Sequence, residues 1–177
     1  MTGKIFIYGV PGVGKTYFSK VLGKHLNMPT IEMDRLKRKV RKGKSKNKSP
    51  FLYLGTCKAY QKFGDLSDKN TVKGLLAVRL ALKKAVADEV KKHRSAVFEG
   101  AFLDPHLLTQ LGKPILLIAS DEKRHRKQFL HHIDRLLDLK GNEFKSARLV
   151  QEYLIKEAEK LNIQIVDNQT SVENYTF

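Results

Sequence analysis

The chain has 177 residues, 41% of them hydrophobic, with a single cysteine and a formal net charge of +16. One domain of that length buries roughly 70% of the surface its unfolded chain exposes, so it needs no metal or disulfide staple. A lone Cys57 excludes an internal bridge and reads as a buried inert thiol, and the apolar runs fall short of the about 20 residues that cross a bilayer.

In chain order, the first element is an apolar β-prone run, Ile5 to Tyr8, directly behind Lys4. No signal-peptide pattern precedes it, and a cytoplasmic protein with no membrane partner is expected. Glycines end the run, and from Lys15 the period changes: Phe18, Val21, Leu22 and Leu26 share one helical face until Asn27 and Pro29 stop it. A short extended piece, Thr30 to Met33, leads to Asp34. Arg35 to Lys48 carries Lys or Arg at nine positions, with Gly43, Ser45 and Asn47 interleaved. We read this basic insertion as helical in its first half and as a mobile loop in its second. Val72, Leu75, Leu76, Leu82, Val86 and Val90 predict a long helix from about Lys69 to Lys92. Strands follow at Ser95 to Phe98 and Pro114 to Ala119, with helices over about Glu122 to Leu139 and Lys145 to Leu161. The last strand is Ile163 to Val166. Apolar strands alternating with amphipathic helices predict a parallel sheet covered on both faces. Such a sheet gathers its ligands at the carboxyl ends of the strands. Here those ends carry the glycine loop, Asp34, Glu99, Ser120-Asp121 and Asn168.

The loop Gly9-Val10-Pro11-Gly12-Val13-Gly14-Lys15-Thr16 matches the phosphate-binding P-loop in full, and it has the required strand before it and helix after it. Its glycines Gly9, Gly12 and Gly14, with Val13 between, let backbone N–H groups curl around a phosphate. The helix start adds its positive dipole end. Lys15 reaches the β- and γ-phosphates and Thr16 offers its hydroxyl to Mg²⁺. ATP with Mg²⁺ is therefore the expected ligand, bordered by Tyr17 and, at the tail, by Asn168. Asp34 is placed to take a proton from an attacking hydroxyl; it could equally cap the basic helix, or do both. Glu99, followed by the permissive Gly100, is placed to hold Mg²⁺ or substrate, against the blander reading of a solvated strand end. Lys37, Arg38 and Arg41 adjoin Asp34 and are candidate acceptor-binding cations. In the segment 121–139, Arg124, Gln128, His131 and Arg135 share one helical face, as an arginine-bearing lid or as an ordinary solvated face. Arg124 and Arg135 are the candidate catalytic arginines. His125, His131 and His132 read as surface or hydrogen-bonding histidines, and His106 as a turn residue.

The charge points to polyanionic or phosphorylated partners, or to a Lys-rich surface of the heat-adapted kind. Three functions fit: a metabolite kinase, a kinase whose acceptor is RNA or a nucleotide, and an ATP-binding interaction protein without transferase activity. The RNA reading gains from the basic stretch and lacks an RRM, KH or zinc-knuckle signature. Oligomeric state is left open.

Taken in order, the P-loop, then Asp34 with Lys37 and Arg41, then Val97-Phe98-Glu99-Gly100 leading to Leu103 and Pro105, then Asp121-Glu122 with His125 and Phe129, then Arg148 to Leu154, and finally Ile165 to Asn168 resemble the archaeal 2-phosphoglycerate kinase family of P-loop small-molecule kinases. That resemblance covers nearly the whole chain, and the P-loop is its most specific part. It implies a three-layer P-loop NTPase fold with a five-stranded parallel sheet in the order 2-3-1-4-5, in a single domain over 1–177. It also implies phosphoryl transfer from ATP to 2-phosphoglycerate or a similar metabolite. The chain departs from the family where Phe102 replaces a histidine, where Gln128 and His132 replace lid arginines, and where Lys37 replaces an arginine.

Overall fold

The computed structural model describes residues 3–131 and 140–169. Among them, five parallel strands form one sheet in the order β2-β3-β1-β4-β5: β1 Lys4–Tyr8, β2 Thr30–Glu32, β3 Ala96–Glu99, β4 Lys113–Ile118 and β5 Gln164–Asp167. This is the fold and strand order expected. The connecting helices are α1 Lys15–His25, α2 Asp34–Val40, α3 Asp68–Lys91, the short α4 Pro105–Leu108, α5 Glu122–Leu130 and α6 Asn142–Lys160. Among the described residues no helix is long and apolar enough to cross a membrane.

The core lies on the central strands. Phe6, Ile7 and Tyr8 of β1 are fully enclosed, and the Phe6 and Phe98 rings stack across β1 and β3 at 5.2 Å. The register fixes what meets at the carboxyl edge. Glu99 of β3 pairs with both Ile7 of β1 and Glu32 of β2, so the residues that follow these strands emerge side by side. The strand order reverses around β1, which puts the loop after β1 in the crevice where such sheets bind ligands.

Helix boundaries follow local chemistry. Ser67 Oγ accepts from Asn70 N and starts α3 one residue before the expected Lys69. Asp121 accepts from Arg124 N and starts α5. The last α5 turns expected up to Leu139, including His132 and Arg135, lie outside the described residues.

The segment between α2 and α3 has an order that the sequence pattern did not disclose. Residues 41–49 form hydrogen-bonded turns, Lys44 N to Arg41 O at 2.9 Å and Ser49 N to Ser45 O at 3.0 Å. Two 3-10 turns follow, Pro50–Leu52 and Ala59–Lys62, and bury Leu52, Ala59 and Tyr60. Cys57 is buried there, as expected. Gly74 in the middle of α3 permits this contact, because a Cβ at that position would stand 2.5 Å from Tyr60 N.

Candidate active site

The P-loop joins β1 to α1 through three glycines with positive φ, Gly9 at 148°, Gly12 at 85° and Gly14 at 86°. At two of them the surroundings also forbid a side chain. A Cβ on Gly9 would lie 2.2 Å from Leu117 O, and one on Gly12 would lie 2.9 Å from Phe129 Cα. Gly12 therefore lets α5 pack directly on the loop. Val13 is buried and anchors the turn, and the backbone of Gly14 begins α1.

Lys15 is nearly buried, and its Nζ donates to Val10 O at 3.0 Å, across the loop. Thr16 Oγ1 donates to Glu99 Oε1 at 2.9 Å, which ties the first turn of α1 to the end of β3. Glu99 is 5% exposed; burial pushes its carboxyl above the usual range, and the Lys15 charge and the Thr16 hydrogen bond pull it back. Lys15, Thr16, Tyr17, Asp34 and Glu99 line one cavity of about 190 Å³ with the loop glycines and Ala101. Gly100 passes Met33 closely, since a Cβ on Gly100 would be 3.1 Å from Met33 Cβ.

The donor chemistry of this cavity fits Mg²⁺. A hydroxyl and a carboxylate are hard oxygen donors, and Mg²⁺ takes one or two protein oxygens and completes its shell with phosphates and water. Among the described residues there is no cluster of three or more His, Cys, Asp or Glu side chains, as a softer or fully protein-enclosed ion would require.

Asp34 is exposed at the first position of α2. Met33 is the N-cap and no side chain caps the helix, so the capping role considered for Asp34 is not the one it plays. The flanking cations divide. Lys37 is buried, donates from Nζ to Leu54 O, and is held down at about 8 by desolvation and then by the Arg41 charge. Arg41 donates from Nε to Leu52 O at 2.7 Å and lies over the Tyr53 ring. Both are candidate acceptor-binding cations, and here they are bonded to the main chain of 50–54 and clasp the basic segment. Arg38 is exposed.

On the other side of the loop, α5 turns its inner face to the P-loop. His125, expected at the surface or in a hydrogen bond, is fully buried, and its Nε2 lies 3.0 Å from Pro11 O. Arg148 of α6 donates from Nη1 to Ala119 O at 2.8 Å and reaches His125 Nδ1 at 3.4 Å. A carbonyl only accepts and a guanidinium only donates, so His125 is neutral with its proton on Nε2. Burial lowers its basicity in the same sense. Gln151 clamps Ala119 from both sides, accepting from its N and donating to its O. Sequence reasoning did not assign these three residues to the site. Their signal is spacing: His125 with Phe129, and Arg148 with Gln151, lie one helical turn apart. The exposed face carries Arg124 and His131, while Gln128 accepts from Asn168 Nδ2 at 3.1 Å and joins α5 to the end of β5.

No protein-family model matches the chain. It is 25% identical over 178 residues to the 2-phosphoglycerate kinase of Methanocaldococcus jannaschii, covering 93% of this chain and 58% of that protein. The chain thus spans less than two thirds of that relative's length. Among solved structures it is similar to shikimate kinase from Acinetobacter baumannii in complex with shikimate, with a TM-score of 0.56 and 13% identity over 97% of this chain and 85% of the other. Deoxyadenosine kinase from M. mycoides with bound dATP gives a TM-score of 0.53 at 14% identity, over 96% and 93% of the two chains. The fold is that of the P-loop kinases.

Proposed function

We propose that this protein is an ATP-dependent phosphotransferase whose acceptor is a small phosphorylated acid of the 2-phosphoglycerate type. The observation that carries this reading is the meeting of Lys15, Thr16, Asp34 and Glu99 around one cavity at the carboxyl edge of the sheet. The relative named a 2-phosphoglycerate kinase supports the acceptor class. In this reading the P-loop, with Tyr17 and Asn168 at its flanks, binds ATP. Thr16 and Glu99 would hold Mg²⁺, which would supply charge neutralisation on the phosphates. Lys15 leaves Val10 O for a phosphate oxygen. Asp34 would orient the acceptor hydroxyl and take its proton as the acceptor oxygen bonds the γ-phosphorus and the bond from that phosphorus to the β–γ bridging oxygen breaks, releasing ADP. Arg38 holds the acceptor's own phosphate or carboxylate, beside Gly100. Arg124, on the exposed face of α5, is the candidate to neutralise charge on the transferring group.

The test is ATP turnover with a panel of phosphorylated and unphosphorylated hydroxy acids, for the wild type and for Lys15→Ala. Acceptor-dependent turnover in the range of about 1–100 s⁻¹, lost in Lys15→Ala while the variant stays folded, supports the proposal. Near wild-type turnover in the variant removes the P-loop from the chemistry.

A further inference from the structure

The charge of this protein is local. Between Arg35 and Gly64 there are eleven Lys or Arg residues and no Asp or Glu, so these thirty residues carry +11 of the net +16. A heat-adapted surface interleaves both signs in ion-pair networks, and this segment does not. It is also held in shape. Lys37 and Arg41 bond Leu54 O and Leu52 O, and the Tyr53 hydroxyl bonds Lys44 O. These contacts turn the remaining cations outward: Lys42, Lys44, Lys46 and Lys48 are all exposed, the last three at every second position.

An aromatic pair adjoins them. Phe51, three residues beyond Lys48, stacks on Phe63 with ring centroids 5.7 Å apart and planes within 15°. Phe63 is 40% exposed, and Lys73 Nζ stands 6.0 Å from its ring centre. A part-exposed aromatic ring in the same segment as a run of exposed cations is the combination that holds a single strand, phosphates on the lysines and a base on the ring. A duplex keeps its bases stacked inside and offers that ring nothing.

We propose that the segment 42–63 binds single-stranded nucleic acid through Lys42, Lys44, Lys46, Lys48 and Phe63. The inference does not depend on the phosphotransferase reading, because binding is measured without ATP.

The experiment is fluorescence anisotropy of a labelled twelve-residue oligouridylate with the whole chain across a salt series. Each phosphate contact contributes about −0.7 to the log–log salt slope. Replacing Lys42, Lys44, Lys46 and Lys48 with Ser should make the slope shallower by about 2–3, with ATP turnover unchanged. Phe63→Leu, which keeps an apolar contact to Phe51, should weaken binding about ten-fold at an unchanged slope. The control removes the same charge elsewhere, replacing the exposed Lys83, Lys91, Lys156 and Lys160 with Ser. An equal loss in the control shows attraction to net charge alone and overturns the proposal. So does a duplex of the same length binding as tightly as the single strand, or an affinity that Phe63→Leu leaves unchanged.

Discussion

His125 shows how one side chain ties the phosphate loop to the rest of the fold. It meets Pro11 O from the loop and Arg148 from α6, packs edge-on against the rings of Phe129 and Phe144, and feels the charges of Lys15 on α1 and Glu122 on α5. A proton on Nδ1 would point at the Arg148 guanidinium, so the folded state resists protonation. The sign follows from linkage. The folded protein holds the imidazole neutral below its ordinary 6.5, whereas the unfolded chain takes up a proton there. The contribution to stability is complete above that pH and is lost as pH falls below it. We expect His125→Gln, which can still donate to Pro11 O, to lower stability at pH 7.5 by about 1 kcal/mol. The difference between the two proteins should shrink between pH 6.5 and 5 in denaturant titrations. A constant difference across that window would mean that His125 does not resist protonation in the fold.

Among the elements, α3 and α6 are joined by a pair no sequence window could reveal. Arg79 and Glu157 are 78 positions apart and meet in two 3.0 Å hydrogen bonds, with side chains 2% and 5% exposed. The Tyr153 hydroxyl also donates to Glu157 at 3.1 Å. Breaking a buried pair from one side leaves a charge without its counterion, so Arg79→Met should cost about 3–5 kcal/mol. Arg79→Met with Glu157→Leu should recover most of that. A single variant as stable as the wild type would contradict the pairing. The strands and long helices were legible because apolar periodicity survives in the sequence, as with Phe18 and Leu22 of α1 or Leu75, Leu82 and Val86 of α3. The segment 49–67 was not, because irregular turns have no period, and Leu52 and Tyr60 are buried only through the close approach that Gly74 allows. The site divides in the same way. The P-loop was legible as a contiguous pattern, and Asp34 and Glu99 were legible because a parallel sheet sends strand ends to one edge. The bonds of Lys37 and Arg41 to Leu54 O and Leu52 O were not legible, because main-chain carbonyls carry no side-chain signature.

At the scale of the whole molecule, two properties stand side by side. One is a P-loop kinase fold with a small polar cavity, and the other is a basic segment that begins directly after Asp34. Asp34 lines the cavity and opens α2, so it stands where both regions meet. The most direct measurement is therefore ATP affinity and single-turnover rate for Asp34→Asn against the wild type, with the acceptor that the panel identifies. Asn keeps the size of the side chain and removes its ability to take a proton. Because Asp34 caps no helix, stability should hold. ATP affinity should stay within about two-fold, and the rate should fall by about 10²–10⁴-fold. A variant that binds ATP and turns over at the wild-type rate would contradict the central claim that this carboxylate serves the chemistry.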